Sequence, residues 1–140
     1  NHLPVKIKSL KIRERFFNYI IAQKDGQVLI NKRGAGDIWE NMFDLPLFET
    51  DNFTDVKDLI KSENFIRSFG TQVKIKSVSA PVKHILSHQK LHTTFIEIGD
   101  FSEKFSSEKS WFYVSLDELE KLAQPKLIFH FFENFHKLNT

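Results

Sequence analysis

The apolar positions fall into short runs divided by turn residues. Lys6-Ile7-Lys8-Ser9-Leu10-Lys11-Ile12-Arg13 alternates basic and apolar side chains, as an extended arm does. Phe16-Phe17-Asn18-Tyr19-Ile20-Ile21-Ala22 and Val28-Leu29-Ile30 are β-rich runs on either side of Asp25-Gly26, a dipeptide that accepts the positive φ of a tight hairpin turn. Gly34-Ala35-Gly36 opens a loop, and Phe43 to Glu49 predicts a short strand in which Pro46 calls for an edge or a bulge. Thr54 is positioned to N-cap a helix with Val56, Leu59 and Ile60 on one face. Ser62 restarts a second turn with Phe65, Ile66 and Phe69, and Gly70 ends it.

Further strands are predicted over 73–79, 82–86 and 93–98, with the last at Trp111-Phe112-Tyr113-Val114. Ser115 and Glu118 have the spacing of a capping box. Pro125 suits the first turn of a final helix that turns Ile128, Phe131, Phe132, Phe135 and Leu138 inward. Mostly strands, with one helical segment in mid-chain and two at the end, predict an α+β domain whose mixed sheet lies between helices.

At 140 residues the chain suits one domain, and 15 Phe supply an aromatic core. Residues 1–14 read as the end of an interdomain linker and 15–140 as the domain, so we read the chain as a fragment of a longer polypeptide. It has no cysteine, which excludes disulfides, thiolate metal sites and a thiol nucleophile. No apolar run approaches the roughly 20 residues of a membrane-spanning helix.

The net charge of +2 hides a strong pattern. Residues 1–33 carry 8 Lys/Arg and 2 Asp/Glu; residues 34–70 carry 3 and 8; residues 71–95 carry 4 and 0; residues 96–140 carry 5 and 8. The two basic segments could form one face that attracts phosphates if the fold joins them.

Several constellations fail on spacing. His84, His88 and His92 recur every four residues but lie in strand-forming sequence, where four residues span roughly 13 Å and cannot share one ion. No Gly-x-Ser-x-Gly elbow surrounds Ser87, and an adjacent His88 points away from it in extended chain. Gly34-x-Gly36 lacks the rest of a phosphate cradle. The acids Glu49, Asp51, Asp55, Asp58 and Glu63 serve as caps and solvated charge as readily as magnesium ligands. Lys83 to His92 remains, ten residues of cations, hydrogen-bonding groups and apolar side chains without an acid, which suits nucleic acid.

With that stretch, the chain resembles the C-terminal domain of MutY-type A/G-specific adenine DNA glycosylases. The matching segments, in order, are Leu3-Pro4-Val5-Lys6, Arg15-Phe16-Phe17, Lys32-Arg33, Asp37-Ile38-Trp39 and Phe43-Asp44-Leu45-Pro46-Leu47. They continue with His84-x-Leu86-Ser87-His88-x-x-Leu91, Trp111-Phe112 and Pro125-x-Leu127-Ile128-x-x-Phe131-Phe132. The resemblance implies a Nudix-like mixed β-sheet packed between helices that reads 8-oxoguanine without hydrolysing anything. A separate N-terminal domain with an iron–sulfur cluster would excise the opposing adenine, so no cofactor is expected in this chain. The implied partners are double-stranded DNA with an A:8-oxoguanine mispair and that N-terminal domain, in bacterial cytoplasm.

The family's Phe-Ser-His loop corresponds to Leu86-Ser87-His88, with Leu86 an apolar wedge in place of Phe and Lys83 and Lys90 as phosphate contacts. Two other readings stand beside this one: an active Nudix pyrophosphohydrolase, for which the Arg-Glu-x-x-Glu-Glu helix is missing, and a protein-interaction module.

Overall fold

The computed structural model describes residues 11–138, with side chains through Phe135. The proposed Leu3 to Leu10 arm and the inward Leu138 side chain lie outside the described residues. Strand β1 (Arg13–Lys24) turns at Asp25-Gly26, with φ of 53° and 77°, into β2 (Gln27–Lys32). Both residues of the turn take the left-handed conformation that lets a two-residue loop follow the strand twist. Arg13 and Glu14, within the expected linker end, already belong to this strand.

The expected 43–49 strand is divided at Leu45-Pro46 into β3 (Phe43–Asp44), which pairs with β2, and β4 (Leu47–Thr50), which pairs with β1. Proline lacks an amide proton, but its carbonyl still accepts from the Ile20 N–H at 3.0 Å. The chain thus crosses from one sheet half to the other. Two short helices follow, α1 (Val56–Leu59) and α2 (Glu63–Phe69). Asp55, not Thr54, caps α1, its carboxylate accepting from the Lys57 N–H at 3.0 Å. Ser62 caps α2, and Gly70 ends it at φ 82°.

Strands β5 (Lys74–Val78) and β6 (Val82–Ile85) lie in succession along one edge of β7 (Gln89–Gly99). The other edge of β7 pairs in parallel with β1, from Arg13↔Gln89 to Ala22↔Ile98. After β8 (Trp111–Ser115), which pairs with β2, come α3 (Leu116–Glu120), with its capping box, and α4 (Lys126–Leu138).

The result is an eight-stranded mixed sheet between helices. β1 is buried on both faces because its side chains alternate. Phe17, Tyr19 and Ile21 join Ile128, Phe132 and Phe135 of α4 in one core. Ile20 and Ala22 join Phe65 and Phe69 of α2 in the other. Among the described residues no helix is long and apolar enough to cross a membrane.

Candidate nucleic-acid interface

Leu86-Ser87-His88-Gln89 forms the tip of the β6–β7 hairpin. The Leu86 N–H donates to the Gln89 carbonyl at 2.8 Å, leaving Ser87 and His88 as an exposed two-residue turn. Its base is tied to the body of the domain twice. The Arg13 N–H donates to the His88 carbonyl at 3.0 Å, and Arg15 Nη1 donates to Gln89 Oε1 at 3.1 Å. Leu86 packs against the α4-side core instead of standing free, whereas its neighbour Ile85 is 64% exposed.

Lys83 faces His92 across the ladder and Ile85 faces Lys90, so both lysines project on one side of the hairpin. His84 lies on the other side, 6.1 Å from Trp39 between ring centroids. The three histidines therefore diverge, as strand geometry requires. On the lysine side, the bond to His92 holds the Glu14 carboxyl below the usual carboxylate range, helped by the charges of Lys90, His92 and Lys83.

Beneath the turn lies a charge network, buried at Arg15, Arg33 and Asp44, that pattern reading missed. Arg15, 5% exposed, forks onto Glu49 (2.7 and 2.8 Å) and onto Asp37 (2.8 and 2.9 Å). Arg33 donates to Asp37, to the Ile38 carbonyl and, at 3.0 Å, to Asp44. Asp44 is fully buried and also accepts from Tyr19 Oη and Asn31 Nδ2.

The hydrogen bonds from Arg15 lead in bringing the Asp37 carboxyl down to about 2. Burial raises Asp44 and pushes the Tyr19 phenol well above its ordinary range. The signal in the sequence was a charge set inside an apolar strand: Arg15 before Phe16-Phe17, and Asp44 between Phe43 and Leu45. The network also clamps the 34–41 loop, where Trp39 is held at φ 58°, a costly conformation for a bulky residue.

The acids considered as magnesium ligands do not converge. Glu49 is bound to Arg15, Asp55 caps α1, and Glu63 pairs with Arg67. Among the described residues no three His, Asp or Glu side chains form a metal-binding group. A groove of about 500 Å³ between β4, α1 and α2 is lined by Glu49, Asp58 and Glu108, but this donor set does not fit a magnesium site.

The sequence signature of the NUDIX domain matches residues 18–134, most of the chain. The chain belongs to the Nudix family. No curated protein matches this Nudix chain in sequence. Among solved structures, its fold is similar to the MutT protein from Methanosarcina mazei Go1, with 16% identity, a TM-score of 0.67, and coverage of 92% of this chain and 97% of that one.

It is also similar to the C-terminal domain of mouse MUTYH, solved in complex with human PCNA: 14% identity, TM-score 0.63, coverage 89% and 91%. A NUDIX hydrolase from Nitrosomonas europaea follows at 10% identity and TM-score 0.60, with coverage of 89% and 90%. At these identities the likeness extends to the fold. Within the Nudix family the chain thus resembles hydrolases and a MutY-type C-terminal domain alike.

Proposed function

We propose that this Nudix domain reads 8-oxoguanine in duplex DNA, as the recognition domain of an adenine DNA glycosylase. The observation that carries the reading is the exposed Ser87-His88 turn, anchored through Arg13 and Gln89 and flanked by Lys83 and Lys90. Guanine offers an acceptor at N7 in the major groove, whereas 8-oxoguanine carries a proton there. A reader needs an acceptor at that point, and the Ser87 hydroxyl has a lone pair to offer. The two lysines and His88 hold the adjacent phosphates, which position the domain without reading sequence.

The same reading assigns adenine excision and an iron–sulfur cluster to an N-terminal domain outside this chain, in a cytoplasmic enzyme. One lost contact of this kind costs about 1–3 kcal/mol, or roughly five- to a hundredfold in discrimination. Single-turnover adenine release by the full-length protein, from duplexes with adenine opposite 8-oxoguanine or opposite guanine, tests it. A preference for 8-oxoguanine that shrinks by that factor in Ser87→Ala is expected. Equal release from both duplexes by the native protein refutes the reading.

A second reading, nucleotide pyrophosphohydrolysis, draws on the Nudix match and on the fold shared with the MutT protein. Magnesium-dependent release of pyrophosphate from nucleoside triphosphates by the full-length protein would favour it over lesion reading.

A further inference from the structure

The lysine side of the β6–β7 hairpin carries a feature that lesion reading at the turn does not use. His92 lies flat on Phe16, with ring centroids 4.7 Å apart and planes at 13°. Phe53 closes on both, 5.8 Å from Phe16 and 6.3 Å from His92, yet is itself 62% exposed. An aromatic ring held in place by two others, with a free face, loses little entropy when a further ring stacks on it.

Beside Phe53 runs an open groove of about 440 Å³, within the range of small-ligand sites. Val78, Pro81 and Ile96 line it with apolar surface, and Thr54, Ser79 and Thr94 add hydroxyls. The Ser79 hydroxyl already accepts from the Phe95 N–H at 2.9 Å, which leaves its proton to donate. Thr94 and His92 project from the same face of β7, and Lys83 stands opposite His92. Cations, a braced ring and a groove with hydroxyl groups are therefore contiguous on one surface.

Glu14, the acid nearest the cations, is bound to His92, while Asp55 at the groove rim caps α1. A nucleobase is flat, hydrogen-bonds at its edge and is tethered to a phosphate. It complements each of these elements, but only when unpaired, since a paired base has no free face to stack.

We infer that Phe53 and the groove beside it form a second nucleic-acid site, which takes one unpaired base of a single strand, with Lys83 and Lys90 on the neighbouring phosphates. The site shares Lys83 and Lys90 with the lesion reading proposed above, while Phe53 belongs to this site alone and Ser87 to that reading alone.

Fluorescence anisotropy with a labelled short oligothymidylate at low ionic strength tests this on the 140-residue chain. Saturable binding is expected. Phe53→Ala should weaken it by about five- to a hundredfold, the range for one stacked base, with a fall of no more than about 5 °C in melting temperature, since only its contacts with Phe16 and His92 are lost. Phe53→Trp should restore it. An oligomer with abasic residues should bind the native chain no better than oligothymidylate binds Phe53→Ala. The double substitution Lys83→Gln and Lys90→Gln should reduce the slope of log affinity against log salt by about 1.4, at about 0.7 per phosphate contact on a single strand. Ser87→Ala should leave the affinity unchanged, which separates failure of this site from failure of lesion reading. No binding by the native chain, or equal binding by Phe53→Ala, overturns the inference.

Discussion

Replacing Arg33 by Met keeps the length of the side chain and removes its charge, which isolates what the cation does for Asp44. In the native fold Asp44 is fully buried and accepts from Arg33 at 3.0 Å, Tyr19 at 2.7 Å and Asn31 at 2.8 Å. Arg33→Met leaves two neutral donors to hold a buried carboxylate and removes the bonds from Arg33 to the Ile38 carbonyl and to Asp37, which keeps those from Arg15. Breaking a buried pair in this way costs about 3–5 kcal/mol. At 140 residues that corresponds to a fall of about 10–15 °C in melting temperature.

Adding Asp44→Asn removes the uncompensated charge, so the double variant should be more stable than Arg33→Met by about 1–3 kcal/mol, without reaching native stability. The pH dependence has a definite sign. In Arg33→Met the folded-state pKa of Asp44, already raised by burial, rises further. A raised acid binds its proton more tightly when folded, so stability falls as pH climbs from the unfolded pKa of about 3.9 toward the folded one. The deficit against the native chain should therefore be largest near neutrality and should shrink toward pH 4. Urea unfolding of the three proteins across that range measures it. A single variant that loses less than about 1 kcal/mol, or a double no more stable than the single, would refute the reasoning.

Two further outcomes follow from local geometry. The Asp37 carboxyl, depressed to about 2 chiefly by its bonds from Arg15, should titrate by carboxyl-carbon NMR well below its unfolded value of about 3.9. Its contribution to stability should be complete above that value and lost as pH falls toward 2, and a midpoint near 4 would show that the Arg15 fork does not hold in solution. At Gly70, with φ at 82° and an added Cβ only 2.5 Å from Ser102 Oγ, substitution by Ala should cost about 1–3 kcal/mol, read from the midpoint of urea unfolding.

Where one residue has a single local solution, the sequence was legible. Asp25-Gly26 specified its hairpin because both positions need positive φ. Ser115 with Glu118 specified the start of α3 because the two bonds of the capping box close within four residues. At α1 the cap is one residue later than expected: the Asp55 carboxylate accepts from the Lys57 N–H, while the Thr54 hydroxyl donates to the Asn52 carbonyl.

The start of β7 was placed at Thr93, four residues late. Its polar opening Gln89-Lys90 is held extended by Arg13 and Glu14 on one side and by Leu86 and Ile85 on the other. Glu49 was read among caps and solvated charges, while Arg15 and Asp37 entered only as positions of the family resemblance. Their pairing spans 22 and 34 residues, a distance at which no periodicity reports. The Ser87-His88 turn was visible as a motif, while what anchors it from β1 was not.

The parallel pairing of β1 with β7 also sets when the fold can form. Arg13 is bonded into the ladder opposite Gln89, so the hairpin that carries Ser87 gains its anchor only after a loop of some seventy-five residues has closed. Long closures of this kind are paid in chain entropy before any contact repays them, and they slow folding. On the ribosome, the face of β1 that carries Phe17, Tyr19 and Ile21 waits uncovered until α4 emerges, after β7. A weakened β1–β7 seam would therefore show itself first as slow refolding and aggregation of newly made chain, before any change in the finished domain.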